Sequence, residues 1–411
     1  MRRSAFLLAT ALFSAHATLG TTAELVGYEI VGGTSIPNSL TGEAGDSERG
    51  RAVTSERKLG NCLACHQIPA LSDEPFHGNV GPSLAGVANR YKEGELRLWV
   101  VDPKMRNPET IMPAFYRSTG LFRVMPEYEG RPILSAGQVE DVLAFLLTLT
   151  EESTAEPIPL RYDPGRITRR VPGPGNPLPE LISGLYFQIE ESVDMQEDDL
   201  LNPGLLWVER GRQLWNQVEG AAASSCASCH GNGDASLRGV GASYPKFHEP
   251  SGKVVNLEQQ VNFCRSERMQ AEPWEFGSEE LLAMTIFVKH QSRGEPVEVE
   301  VDGPAAAAFE RGKAHFHQRR GQLDMSCAHC HDQNYGKLLR GDVLTQGHSN
   351  GYPIYALGDE SARHLHKLLW HCNELMRSTP FDVLSDEFVA LELFLAWRGE
   401  GLPVETPGVR W

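Results

Sequence analysis

Residues 62–66 read Cys-Leu-Ala-Cys-His, and the same C-x-x-C-H pattern returns as Cys-Ala-Ser-Cys-His at 226–230 and as Cys-Ala-His-Cys-His at 327–331. This pattern attaches c-type haem, because two thiols bond the porphyrin and the next histidine reaches the iron. A zinc site needs two such pairs close together, and neither a redox-active thiol pair nor a disulfide framework needs the histidine. We therefore predict three covalently bound haem c groups. The predicted attachment residues are Cys62, Cys65, Cys226, Cys229, Cys327 and Cys330, and the predicted proximal iron ligands are His66, His230 and His331.

The composition indicates a loop-rich globular protein of two or three domains. The chain has 411 residues, of which 41% are hydrophobic, with 40 glycines and 26 prolines. Domains of ~150 residues account for that length. The formal net charge of −16 argues against a nucleic-acid surface or an anionic membrane surface as partner, because both attract clustered positive charge.

The N-terminus resembles a secretory signal. Arg2 and Arg3 precede a short apolar run, and Ala15-His16-Ala17 offers a small-x-small cleavage site, with a second possible cut after Ala23. The apolar run is far shorter than the ~20 residues that a membrane span needs. We predict a cleaved signal peptide over residues 1–23, no membrane span, and a periplasmic protein if the source is Gram-negative.

Residues 24–150 are predicted to form the first haem domain. The first motif is followed by Gly81-Pro82, by a methionine-containing loop and by a helix that starts with the capping box Ser135-x-x-Gln138. This order resembles class I cytochrome c. The resemblance implies that the Pro82 carbonyl accepts the ring N–H of His66 and so orients that ligand.

The distal ligand of the first haem is sought among three methionines. Met112 precedes Pro113, an arrangement that distal loops use, and is the preferred candidate. Met125, which also precedes a proline, is the second choice, and Met105 is the third. The ordinary role of any of them is core packing.

A proline-rich linker is predicted over residues 151–184, followed by a tandem duplication. Two haem domains, 185–300 and 301–411, share the order Glu-Arg-Gly, C-x-x-C-H, Leu-Arg-Gly, Tyr-Pro, a lone cysteine and a Pro-aromatic pair. The second copy closes with a helix that has Ser385 as its N-cap and Gly399 as its stop signal. The predicted fold is mainly α, with one class I cytochrome c unit and a tandem pair of cytochrome c domains.

The lone cysteines Cys264 and Cys372 occupy the same relative place in the two copies. They could join in a disulfide, but a local role repeated in each copy explains the spacing more simply. We predict that each is the distal iron ligand of its own haem, with His371 as a rival to Cys372. A thiolate lowers the reduction potential and a thioether raises it, so electrons are expected to flow from the C-terminal haems to the first haem.

Over nearly the whole mature chain the sequence resembles a fusion of the two subunits of the SoxXA cytochromes of bacterial sulfur oxidation. The stretch from Gly78-Asn79-Val80-Gly81-Pro82 to Gly130-Arg131-Pro132 resembles SoxX. The stretch from Asn202-Pro203-Gly204 to Leu402-Pro403-Val404 resembles the dihaem form of SoxA.

The resemblance implies an L-cysteine S-thiosulfotransferase that conjugates thiosulfate oxidatively to a cysteine of the SoxYZ carrier and passes two electrons to a cytochrome c acceptor. It also implies that Cys372 is the active-site residue. Positive side chains should hold the thiosulfate dianion, and Lys367 and Arg377 are nearest in sequence. The family's arginine four residues before the cysteine is Leu368 here, for which Lys367 or Arg340 could compensate. His329 is expected to point to solvent.

Two other functions stay open at this point. A thiosulfate dehydrogenase would join two thiosulfates into tetrathionate at a similar haem. A multihaem electron-transfer protein would use its cysteine ligands only to adjust the potentials of the haems.

Overall fold

The computed structural model describes residues 25–151, 169–233 and 235–411. The predicted signal peptide, residues 1–23, and residues 152–168 of the predicted linker lie outside the described residues. For the description below, residues 25–150 are called the first unit, 185–300 the second unit and 301–411 the third unit.

The predicted mainly helical fold is confirmed, and strands are short. The α-helices are α1 Ser47–Ser55, α2 Val87–Arg90, α3 Glu93–Val101, α4 Ala136–Thr148, α5 Glu190–Glu197, α6 Leu205–Asn216, α7 Cys226–His230, α8 Leu257–Phe263, α9 Glu279–His290, α10 Ala306–His317, α11 Cys327–His331, α12 Leu365–Leu375 and α13 Asp386–Arg398. A π-helical turn, Cys264–Met269, continues α8. Short 3-10 turns are Cys62–Ala64, Pro69–Leu71, Pro103–Met105, Gly184–Phe187, Val240–Ala242, Gly303–Ala305 and Leu357–Asp359.

The strands form small hairpins and one three-stranded sheet. They are β1 Arg169–Arg170, β2 Leu181–Ile182, β3 Lys246–His248, β4 Lys253–Val255, β5 Leu338–Leu339, β6 Asp342–Val343, β7 Ile354–Ala356, β8 Ser361–Arg363 and β9 Gly408–Arg410. The pairs β1–β2, β3–β4, β5–β6 and β7–β8 are antiparallel, and β9 pairs with β7 in parallel, with Tyr355 opposite Val409.

Each unit packs a helix that precedes its haem motif against its last long helix. These pairs are α1 with α4, α6 with α9, and α10 with α13. In each pair a glycine lets the helices touch: a Cβ on Gly50, Gly211 or Gly312 would lie within 1.9–2.3 Å of a carbonyl oxygen of the facing helix. The repeated crossing supports the internal duplication that the sequence indicated.

The predicted helix signals are confirmed in the first and third units. Ser135 caps α4, and its hydroxyl accepts a hydrogen bond from the backbone N–H of Gln138. The Gln138 side-chain oxygen in turn accepts from the backbone N–H of Ser135. Ser385 caps α13, which ends at Gly399. The inward faces of both helices are apolar and buried, so burial of these faces stabilises the pairs.

The described part of the predicted linker, residues 169–184, packs on the third unit. Its hairpin β1–β2 brings Leu178 and Leu181 against Leu402, all three almost fully buried. The Asn176 side chain donates to the carbonyl of Arg398 at 2.9 Å. The chain therefore enters the tandem pair by lying on its last unit.

The first unit docks on the third unit through backbone hydrogen bonds. The N–H of Asn79 donates to the Leu338 carbonyl at 3.0 Å, and the N–H of Arg340 donates to the Ala64 carbonyl at 2.8 Å. Farther along, Val124 and Ser378 form an antiparallel bridge. The first and third C-x-x-C-H motifs are thus brought to one interface.

Within the described part of the chain, none of the helices has the length and apolar character required to cross a bilayer.

Substitution Gly312→Ala is expected to destabilise the third unit by about 1–3 kcal/mol, because the added methyl group must displace the backbone of α13. A Cβ at this position would lie 2.0 Å from the carbonyl oxygen of Ala390. Gly358→Ala, in open space in the same unit, is the matched control. Thermal unfolding followed by circular dichroism measures both, and equal stabilities of the two variants would contradict the packing argument.

Candidate functional site

One cavity of about 1610 Å³ lies between the first and third units. Small-molecule sites usually enclose ~300–1,000 Å³, so this cavity has room for more than one such group. Its lining joins the first motif and Met112 with the third motif and Cys372; the predicted site residues in it are Cys62, Cys65, His66, Met112, Cys327, Cys330, His331, Cys372 and Arg377. The sequence did not predict that these two sets share a space.

The His66 ring is oriented as the sequence predicted. Its Nδ1 lies 2.6 Å from the carbonyl oxygen of Pro82, which leaves Nε2 for another ligand. Burial lowers the pKa of His66, and this favours the neutral imidazole that binds iron. A Cβ on Gly81 would lie 2.3 Å from the ring carbon Cε1, so the chain needs a glycine where it passes the ring.

The His331 ring has the same arrangement in the third unit. Its Nδ1 lies 2.8 Å from the carbonyl oxygen of Thr345, and Gly347 passes so close that a Cβ would lie 2.9 Å from the ring. Burial also lowers the pKa of His331. Sequence reasoning missed Thr345, because every residue offers a backbone carbonyl and no motif marks this one.

Of the three candidate methionines, Met112 is the one that lines the cavity with His66. Met105 is 57% exposed, and the backbone of Met125 is engaged with the third unit, where its N–H donates to the Arg377 carbonyl. Lys104, which the sequence did not single out, holds the Met112 loop. Its ammonium group donates to the carbonyl oxygens of Thr110 and Met112 at 2.7 and 2.9 Å.

Cys372 lies near the C-terminal end of α12, on the helix face that meets the cavity. Leu365, Leu368, Leu369 and Cys372 recur at helical spacing, and all four line the cavity. Burial, together with the smaller effects of the neighbouring Cys327 and Cys330 thiols, raises the pKa of the Cys372 thiol to about 12. A thiol in this setting loses its proton only to a strong partner such as a metal ion.

The second motif lies outside this cavity, since none of the described residues between 190 and 315 lines it. Cys229 and His230 are exposed. Cys264, at the start of the π-helical turn, accepts a hydrogen bond from the Gln260 side chain at 3.5 Å. Burial raises the pKa of Cys226 to about 11, and the Cys264 thiol beside it acts in the same direction.

Cys264 and Cys372 are free thiols in the structure, as are the other six cysteines. Each lone cysteine lies beside the motif of its own unit. The structure therefore does not contain the alternative disulfide between Cys264 and Cys372.

The expectation that His329 points to solvent is wrong. The residue is 3% exposed, and its Nδ1 accepts from the backbone N–H of Ser326 at 2.9 Å. His329 thus caps the short helix α11 in the way that Ser228 caps α7. Its identity inside the motif is explained by this local hydrogen bond.

Of the charged residues predicted to bind thiosulfate, some line the cavity and one does not. Arg377 lines the cavity, but its guanidinium donates to Gln322 at 2.6 Å and to the Lys58 carbonyl at 2.7 Å. Lys367 is exposed, lies over the Trp370 ring and is not part of the lining. Arg340 lines the cavity and is bound to Asn61.

Arg363 is a cavity-lining cation that the sequence did not single out. It ends strand β8 and forms a hydrogen bond with Asp359. Burial raises the pKa of Tyr352, and Arg410, Cys372 and Arg363 are the charged groups that act on it. Tyr352, Cys372, Arg363 and Arg410 all line the same cavity.

One partnerless donor supports the fit of an anionic cofactor in this cavity. Trp99 Nε1 in the first unit is buried, has no hydrogen-bond partner, and belongs to a residue that lines the cavity. A buried polar atom without a partner costs ~1–3 kcal/mol. Haem carboxylates would satisfy such atoms, and the apolar lining suits the porphyrin, so the residues present fit covalently attached haem.

Substitution Met112→Ala is expected to abolish the charge-transfer absorption of a thioether-ligated ferric haem and to lower the potential of the first haem, because a soft neutral ligand is lost. Met125→Ala is the control and should keep the band. Visible spectroscopy and redox titration of the holoprotein measure both. Loss of the band in the Met125 variant alone would make Met125 the ligand.

Comparisons with known proteins agree with the two kinds of unit. The family described as cytochrome c matches residues 47–150, and the family described as SoxA/TsdA, cytochrome c domain, matches residues 210–297. The L-cysteine S-thiosulfotransferase subunit SoxA of Pseudaminobacter salicylatoxidans is 41% identical over 273 residues, 66% of this chain and 93% of the relative. The SoxA subunit of Rhodovulum sulfidophilum is 42% identical over 231 residues, 56% of this chain and 80% of the relative.

Among solved structures, the crystal structure of SoxXA from P. pantotrophus is similar to this chain, with a TM-score of 0.58 and 39% sequence identity. The match covers 60% of this chain and 93% of that chain.

Proposed function

This chain belongs to the SoxA family of L-cysteine S-thiosulfotransferase subunits, and we propose that it joins a SoxX-like unit and a dihaem SoxA-like pair in one trihaem enzyme. Its substrates are thiosulfate and a cysteine thiol on the arm of a SoxYZ-type carrier. A soluble cytochrome c accepts the electrons. The predicted signal peptide implies that this takes place in the periplasm.

The fusion is supported by the separate matches and by the docking. A cytochrome c family covers 47–150 and a SoxA-type family covers 210–297. The first unit is hydrogen-bonded to the third unit at Asn79 and Arg340. A SoxX-like partner held on the same chain is present at high effective concentration.

The single observation that carries the proposal is the shared cavity, in which His66 and Met112 face the same space as His331 and Cys372. The third unit would hold a haem through Cys327, Cys330 and His331, with Cys372 on the other face. The first unit would hold one through Cys62, Cys65 and His66, with Met112. Bound haem supplies a one-electron sink at each of these places.

The reaction must release two electrons. A carrier thiolate and thiosulfate, S₂O₃²⁻, combine into R–S–S–SO₃⁻, and two electrons leave as the new sulfur–sulfur bond forms. We propose that Cys372 first bonds the outer sulfur of thiosulfate, with loss of those electrons. The carrier thiolate then attacks that sulfur, and Cys372 leaves as the thiolate, as in thiol–disulfide exchange.

The cavity-lining cations would hold the dianion for this step. Arg363, the last residue of strand β8, and Arg377 are the candidates within the lining. Lys367, exposed on α12, would attract the anion from outside the cavity. Leu368 also lines the cavity, so the position of the family's arginine contributes no cation to it, and Glu374 of α12 adds a carboxylate to the lining.

The route of the electrons is proposed to run from the third unit to the first. Cys65 and Cys330 line the same cavity, and the residue before Cys65 accepts a hydrogen bond from the third unit, Arg340 N–H to the Ala64 carbonyl. The second motif lies apart from the shared cavity. Its haem, bound through Cys226, Cys229, His230 and Cys264, would therefore stand beside the main route.

Cys372→Ser is expected to abolish formation of the carrier adduct, because the hydroxyl cannot form and release a sulfur–sulfur bond. Cys264→Ser is the matched control and should retain most of the activity. Mass spectrometry of a purified carrier incubated with thiosulfate and oxidised cytochrome c detects the adduct. Adduct formation by the Cys372 variant at the wild-type rate would refute the proposed role.

Without carrier, thiosulfate is expected to reduce no more than two equivalents of cytochrome c per enzyme, as the Cys372 adduct forms once, and to leave no tetrathionate, because no carrier thiolate releases that adduct. Chromatography of the sulfur oxyanions after incubation measures the product. Stoichiometric tetrathionate in the absence of carrier would identify a thiosulfate dehydrogenase instead.

A further inference from the structure

In each tandem unit an equivalent loop precedes the haem motif. Glu219 forms an antiparallel bridge with Ser224 in the second unit, and Arg320 forms the same bridge with Met325 in the third. Each bridge stands at the same distance before the first cysteine of its motif. Glu219 of the second unit therefore corresponds to Arg320 of the third.

The segment after each lone cysteine is also equivalent. The carbonyl of Arg265 accepts from the N–H of Ala271 at 3.0 Å, and the carbonyl of Asn373 accepts from the N–H of Ser378 at 2.9 Å. Since Arg265 directly follows Cys264 and Asn373 directly follows Cys372, Arg265 corresponds to Asn373.

In the second unit these two positions form a buried ion pair. Arg265, 5% exposed, lies 2.7 Å from the carboxylate of Glu219. Its guanidinium carbon lies 3.6 Å from the centre of the Trp274 ring, and its Nε donates to the Glu272 carbonyl at 3.1 Å. The Trp274 ring and the Glu272 carbonyl form a binding site for this guanidinium, which we call the socket. In the second unit the socket holds Arg265, and Glu219 neutralises its charge.

In the third unit the same socket is filled by an arginine of the first unit. Arg123 places its guanidinium carbon 3.7 Å from the centre of the Phe381 ring, and its Nε donates to the Thr379 carbonyl at 3.0 Å. Thr379 and Phe381 stand where Glu272 and Trp274 stand in the second unit, one residue on either side of the repeated proline. Arg123 therefore takes the place that Asn373 leaves empty.

The counter-ion is replaced as well. Arg320 is 1% exposed, donates to the Gln318 carbonyl at 3.2 Å and is hydrogen-bonded to the ring and the carbonyl of His315. Within the described residues no carboxylate pairs with Arg320, and nearby Asp324 pairs instead with Arg117 and Arg319. The third unit therefore has two guanidinium groups where the second has a neutral pair.

We propose that Arg123 of the first unit takes the place of the missing arginine in the third unit and that Arg123 and Arg320 together raise the reduction potential of the third haem above that of the second. The inference rests on the proposed function, in which both haems have histidine and cysteine ligands. Ferric iron carries one more positive charge than ferrous iron, so nearby cations favour the reduced form. A thiolate-ligated haem would otherwise be a weak electron acceptor for sulfur oxidation.

The test uses the full-length holoprotein with Arg123→Gln, with Arg320→Gln, and with the triple change Arg123→Gln, Arg320→Glu and Asn373→Arg. The triple variant rebuilds in the third unit the ion pair of the second. Redox titration followed by electron paramagnetic resonance gives the potential of each haem, and a Cys264→Met background separates the two thiolate signals. Thermal unfolding reports stability, and Arg238→Gln, at an exposed arginine of the second unit, is the control.

Both single variants are expected to lower the potential of the third haem and to leave that of the second unchanged. The triple variant should recover the thermal stability lost in Arg123→Gln while keeping the lowered potential, which a merely structural role would not produce. Unchanged potentials in the single variants overturn the inference alone, as does full recovery of the potential in the triple variant. A wild-type spectrum without a thiolate-ligated third haem overturns the proposed function and this inference with it.

Discussion

The docking of the first unit on strand β5 determines where the chemistry of this protein can take place. The Asn79 side chain accepts from the N–H of Leu338 at 2.7 Å, and the backbone N–H of Asn79 donates to the Leu338 carbonyl at 3.0 Å. These bonds satisfy backbone groups that would otherwise be buried without partners. They join the two units beside the cavity that both motifs line, and the proposed electron route depends on that contact.

The sequence predicted well whatever is encoded locally. The Pro82 carbonyl at His66 and the caps Ser135 and Ser385 each depend on residues close together in the chain, where spacing alone constrains geometry. The choice of Met112 is consistent with the structure, which places it in the cavity with His66. Its ligation of iron stays a prediction.

What the sequence did not predict depends on contacts between distant residues. Lys367 was chosen for its nearness to Cys372 in the chain, yet on a helix a residue five positions away lies on another face, and Lys367 is exposed. Arg363 reaches the cavity from a neighbouring strand, and Arg123 of the first unit packs on Phe381 of the third. His329 was misplaced because a histidine that caps a helix has no sequence signature distinct from one at the surface.

The tandem copies also differ in length after the lone cysteine. The longer segment belongs to the second unit, whose haem is proposed to lie outside the path of the electrons from the third unit to the first. The N–H of Ala222 donates to the Met269 carbonyl, and the N–H of Leu323 donates to the Met376 carbonyl, so the two methionines are equivalent. Met269 follows its lone cysteine by one residue more than Met376 does.

The second unit absorbs that extra residue as the π-helical turn Cys264–Met269, whereas α12 stays α-helical through Cys372. The turn takes up the extra residue while the backbone hydrogen bonds on either side of it stay equivalent in the two units. Arg265, in this turn, pairs with Glu219. The third unit, which lacks the extra residue, has asparagine at this position and leaves the socket open, and Arg123 can enter it only because the first unit is docked alongside. The arginine beside Cys264 thus comes from the second unit itself, whereas the arginine beside Asn373 comes from the neighbouring first unit.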